Sequence, residues 1–94
     1  MRHEKDLATS KPEFYRNLDV AMRGRDYTVS NDQILVNGQG QKIEMKLSPL
    51  PHRVLSGLLK VERWKLEMEF SGYSQEEYDQ FLARFDQAFR RGGG

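Results

Sequence analysis

Trp64-Lys65-Leu66-Glu67-Met68-Glu69-Phe70 alternates apolar and charged residues without a break, and Ile43-Glu44-Met45-Lys46-Leu47 does the same earlier in the chain. A period of two sends successive side chains to opposite faces of a strand, so each stretch has one apolar and one charged side. Two such strands belong to an antiparallel sheet with one face on a core and the other in water. The wet face is expected to carry Lys42, Glu44, Lys46, Arg63, Lys65, Glu67 and Glu69.

Upstream of this pair, Asn37-Gly38-Gln39-Gly40 is a hairpin signal, because these residues tolerate positive φ. Ile34 and Val36 make a short strand before it. Ser30-Asn31-Asp32 reads as a turn, and Tyr27 and Val29 alternate with Thr28. Further back the period becomes helical. Ser10 and Glu13 have capping-box spacing, Pro12 suits a first turn, and Phe14, Leu18, Ala21 and Met22 gather on one face. Gly24 is a natural stop. Met1 to Thr9 is polar and shows no period, which predicts a flexible tail.

Downstream, Ser71-Gly72 closes the sheet. Ser74 and Glu77 form a second capping box, with Tyr73 and Tyr78 placed as a hydrophobic staple. Tyr78, Phe81, Leu82, Phe85 and Phe89 make one wide apolar stripe, and Arg90 and Arg91 suit the negative end of the helix dipole before Gly92. The expected fold is α+β. It is a two-layer α-β-β-β(-β)-α sandwich with both helices on one face of an antiparallel sheet. Residues 1–9 form the tail and residues 10–92 a single domain.

With 94 residues the chain has room for one core and little left for a deep cleft. It contains no cysteine, which excludes disulfides, thiolate nucleophiles and Cys-ligated metals. The opening residues carry mixed charge with no apolar stretch after them, unlike a secretory signal, and runs such as Ile34-Leu35-Val36 are too short to span a bilayer. A cytoplasmic location is the default expectation. Net charge is +1, but it is unevenly spread: residues 42–65 hold six basic and two acidic side chains, whereas residues 67–86 hold one basic and six acidic.

No catalytic, cofactor-binding or metal-ligating residue is expected. His3 lies in the polar N-terminal stretch, and His52 has no cysteine or carboxylate at ligand spacing. Glu67 and Glu69 share a solvated strand face, where nothing buries a carboxyl enough to raise its pKa for general acid chemistry. Glu76 and Glu77 are explained by the helix N-terminus. Gly38 and Gly40 precede a strand, so they make no nucleotide loop. Trp64 and Phe70 share parity with Leu66 and Met68, so the wet face has no aromatic rings on which bases would stack.

The segment Pro49–Val61 stands apart. Prolines and a glycine interrupt it, and the helices and alternating strands already supply enough side chains to fill so small an interior. Leu50, Arg53, Leu55, Leu58, Leu59 and Lys60 are the expected partner-binding residues, with Arg53 and Lys60 as a polar rim. The opposing expectation is an extra hairpin covering the core edge. If one strand ran through Val61 and Trp64, a bulge or turn near Glu62-Arg63 would have to correct its register.

The functional expectation is a small non-catalytic binding or assembly module, with a protein partner or a second copy of the chain and no cofactor. The alternatives are nucleic-acid binding through the basic 42–65 region and a small enzyme whose site is shared across a dimer interface. The helix stripe carries the first testable consequence. Phe85→Ala should cost about 3–5 kcal/mol, as truncation of a buried Phe does, and calorimetry should record a steep drop in melting temperature. A near-wild-type melt would contradict a core role for this helix.

Overall fold

A computed structural model of the chain describes residues 1–54, 57 and 60–92. In chain order the elements are β1 (Arg2–Leu7), α1 (Lys11–Ala21), β2 (Tyr27–Ser30), β3 (Gln33–Asn37), β4 (Lys42–Val54), β5 (Lys60–Ser71) and α2 (Gln75–Gly92). The strands form one antiparallel sheet in the order β1-β5-β4-β3-β2. The fold is α+β, as the alternation required, and the sheet has five strands.

Register explains why one face is apolar. Ile34 pairs with Met45 and Met45 with Met68, while Val36 pairs with Ile43 and Ile43 with Phe70. Strand partners share a face, so the alternating residues of three strands merge into one surface. Phe14, Leu18 and Met22 from the α1 region and Phe81 and Phe85 from α2 complete the core on that surface. Phe85 is fully buried. Its ring stacks on Phe89 at 4.4 Å between centroids, and Phe89 meets Phe14 of the other helix.

The local signals are realised with one difference. Ser74 and Glu77 make a complete capping box: Glu77 N donates to Ser74 Oγ at 3.1 Å, and Ser74 N donates to Glu77 Oε1 at 3.0 Å. At α1 only half forms. Glu13 N donates to Ser10 Oγ, but the Glu13 carboxylate accepts from Thr9 Oγ1 instead of reaching back to Ser10. Tyr73 and Tyr78 both pack edge-on against Phe70, so the staple closes through a third ring.

The N-terminal stretch is the main correction. Residues 2–7 are not a flexible tail; they form the edge strand β1, so the chain order is β-α-β-β-β-β-α. Lys5 pairs with Leu66 and Leu7 with Trp64 along β5. Met1 N donates to the Phe70 carbonyl at 3.1 Å, and the Tyr78 hydroxyl donates to the Arg2 carbonyl at 3.3 Å. Lys5 points to the apolar side, where it pairs with Asp86 of α2 and lies 5.9 Å from the Phe85 ring centre. An inward charge on an edge strand discourages further strands from adding there.

Two predictions follow from this packing. Removing residues 1–8 should lower the melting temperature markedly and expose the β5 edge; an unchanged thermal midpoint would show that β1 does not hold in solution. Gly72 has φ +76°, and a Cβ there would run into the Gly40 carbonyl of the β3–β4 loop. Gly72→Ala should therefore cost more than the ~1–2 kcal/mol of left-handed strain alone. Gly24, at φ +81° with open space around it, should cost only the strain. Equal melting temperatures for the two variants would contradict the close approach of the loops.

Candidate functional site

Strands β4 and β5 outrun their neighbours. The last β3–β4 pair is Gln33 with Lys46, and Leu47 N still donates to Asp32 O at 2.9 Å. On the other side β1 reaches only to Leu7 opposite Trp64. Beyond these points β4 and β5 continue to pair with each other, through Leu50–Arg63, Arg53–Val61 and Val54–Lys60. The result is a two-stranded arm, and it accounts for the elongated 49 × 25 × 21 Å envelope.

Pro49 and Pro51 fit this geometry for a chemical reason. The alternation that directs Leu47 N toward β3 directs the Pro49 nitrogen the same way, where β3 has already ended. A residue without an N–H loses nothing there. The prolines do not end β4, which runs through them from the centre of the sheet into the arm. The bulge, however, lies elsewhere than expected. β5 runs straight through Glu62 and Arg63, and the extra residue sits on β4 between Leu50 and Arg53. Val61 therefore shares the charged face with Arg63, away from the core.

Of the expected partner-binding residues, Leu50 is half-buried opposite Arg63, and Lys60 is exposed opposite Val54. The backbone of Arg53 lies in β4 opposite Val61. Leu55, Leu58 and Leu59 lie outside the described residues. Val54, an apolar residue of the same segment outside the expected partner-binding set, is 62% exposed. Its signal was present in the chain: it is an apolar residue following two prolines that take the strand off the sheet.

The charged face of the sheet is internally compensated. Arg2 bonds Glu4 and Glu67 at 3.0 Å each, Arg63 bonds Asp6 at 3.2 Å, and Lys42 bonds Glu44 at 2.9 Å. Lys65 lies 3.6 Å from both Glu4 and Glu67. Within the basic 42–65 region, Lys42 thus pairs with Glu44 of the same strand, whereas Arg63 and Lys65 meet carboxylates of β1 that lie far away in sequence; Lys46 and Lys60 make no ion pair among the described residues. A shallow concavity of about 770 Å³ opens on this face and includes Arg2, Glu44, Lys46, Glu67 and Glu69. Glu44 and Glu69 stand opposite one another across β4 and β5. Among the described residues no three His, Asp or Glu side chains are placed to hold a metal ion, and no helix is long and apolar enough to cross a membrane.

At the base of the arm Lys11 Nζ lies 5.6 Å from the Trp64 ring centre and 2.7 Å from Asp32 Oδ2. Tyr15 Oη donates to Asp32 Oδ1 at 2.8 Å. Burial, reinforced by the Asp32 bond and charge, pushes the Tyr15 hydroxyl up to about 12. The Lys11 bond holds the Asp32 carboxyl below its usual range. The Lys11 and Tyr15 contacts tie α1 to Asp32 of the β2–β3 turn.

The chain matches no protein-family model, no curated protein and no solved structure.

His3 supplies a pH dependence. It sits on the inner side of β1, with Nδ1 3.5 Å from Tyr78 Oη. Burial, and secondly the Lys5 charge, lower its pKa. The folded state then favours the neutral ring, so this stability is present above the ordinary histidine value of ~6.5 and erodes as pH falls below it. Melting temperature should decline from pH 7 to 5, and His3→Gln should flatten the decline. An identical slope in the variant would assign the acid sensitivity to other groups.

Proposed function

We propose that the chain is a non-catalytic binding or assembly module that engages a protein partner, a second copy included, through the β4–β5 arm. The carrying observation is the arm itself: a paired strand extension with both outer edges unpaired among the described residues and Val54 62% exposed. An isolated two-stranded hairpin is marginally stable in water. Extending one past the sheet gains little for the core, whereas a partner covering it would bury Val54 and Val61 and could add a strand to either free edge. Leu50 and Val61 bring apolar surface to one face, with Arg63 beside them and Lys60 on the rim. The compensated charge of the sheet face favours a protein partner over nucleic acid, whose affinity rests on unneutralised cations meeting phosphates.

The test is sedimentation equilibrium of the full chain across a wide concentration range, with affinity capture from lysate, for the wild type and Val54→Asp/Val61→Asp. The double variant is expected to keep the wild-type melt but to lose self-association or capture. A wild type that stays monomeric and captures nothing would overturn the reading, and so would a variant that unfolds, because those valines would then be core.

A further inference from the structure

Three arginines meet at the end of the molecule opposite the arm. α1 begins beside Trp64 at the arm's base and ends at Ala21. Just past it, Arg23 and Arg25 flank Gly24, which turns the chain at φ +81°. Arg84 of α2 forms the facing wall. Together they line a cleft of about 290 Å³ between the helices, floored by Ala21, Ala88 and Phe81, with Gln87 beside Arg84. Among the described residues no carboxylate lines this cleft. A smaller adjoining hollow of about 140 Å³ shares Arg25, Phe81 and Arg84. Its one acid, Glu77, accepts from Ser74 N and from Gln41 Nε2.

The three arginines stand outside the ion pairs of the described residues, as Arg16, Lys46, Lys60 and Arg90 also do, and what sets them apart is that they line one cleft together. The ion pairs among the described residues engage Arg2, Lys5, Lys11, Lys42, Arg63 and Lys65, and none engages Arg23, Arg25 or Arg84. Arg25 is nonetheless held in place. Its Nη1 donates to Tyr73 Oη at 3.1 Å, and its guanidinium lies 5.4 Å from the Phe81 ring centre. Both contacts orient the guanidinium and neither neutralises it. Like charges gathered without acids repel, and a bound anion relieves that repulsion. The negative end of the α1 dipole accounts for one cation after the helix, but not for Arg84 on the opposite wall.

We propose that the α1–α2 cleft binds the diphosphate group of a small molecule. Guanidinium forks match phosphate oxygens bidentately, and several forks around one hollow suit an anion carrying more than one charge. The alanine floor limits depth, so the phosphates sit between the arginine side chains and the rest of the ligand projects outward. The site is independent of the arm.

The probe is inorganic pyrophosphate, titrated into the full chain at constant ionic strength and followed by two-dimensional NMR and by melting temperature. Saturable shifts are expected at Ala21, Arg25, Phe81 and Arg84, with a rise in melting temperature. Arg25→Gln/Arg84→Gln should weaken binding at least tenfold, and Arg63→Gln on the sheet face should leave it unchanged. If the double variant folds poorly, Arg84→Gln alone carries the comparison, because Arg84 makes no ion pair among the described residues. Absence of saturable shifts, equal response to acetate, or undiminished affinity in the Arg84 variant would each overturn the proposal.

Discussion

Everything else in this molecule rests on the long pairing of β4 with β5. β1 adds to one side of it and β3 to the other, with β2 beyond, and the helices pack on the apolar face these strands create. The pairing is self-specifying, because a slip of one residue would send Met45, Leu47, Leu66 and Met68 into water and their charged neighbours into the core. The same hairpin, once past β1 and β3, has no more core to cover. Its outer half therefore differs energetically from its inner half although the backbone pairing is continuous. The inner half is held by apolar burial, and the outer half by hydrogen bonds that water contests.

Much of the fold was legible because local signals and global packing agree. Strict alternation in Ile43–Leu47 and Trp64–Phe70, the Ser74–Glu77 box and the Phe81–Phe85–Phe89 stripe each specify one arrangement and appear in it. β1 was illegible for the converse reason. Arg2-His3-Glu4-Lys5-Asp6-Leu7 alternates polar with polar, so period-two reading finds no apolar face. What makes it a strand is non-local: the open edge of β5, the Asp86 carboxylate awaiting Lys5, and the Tyr78 hydroxyl that bonds the Arg2 carbonyl. Helix and sheet partners far along the chain override a weak local preference.

The arm and the arginine cleft divide along the same line. The prolines set the segment apart in the sequence, because a missing N–H is a local property, but that it continues as a paired extension of β4 and β5 was not readable from them. The side on which the extra residue falls was not readable, since β4 and β5 could each have absorbed it. The arginine cleft left no local trace. Arg23 and Arg25 sit after a helix, where a cation is ordinary, and Arg84 lies in the acidic part of the chain, so composition there pointed away from a cationic site. Only the packing of α1 against α2 joins them.

Native-state hydrogen exchange of the full chain, at dilute and at high concentration, tests the division of the hairpin most directly. In dilute solution the β4–β5 amides of Glu44, Lys46, Glu67 and Glu69 should exchange through global unfolding, whereas those of Leu50 and Val61 should exchange by local opening, orders of magnitude faster. The arm amides should gain protection as concentration rises, or when a captured partner is added. Equal protection of both halves in dilute solution would contradict the account, since it would make the arm part of the core.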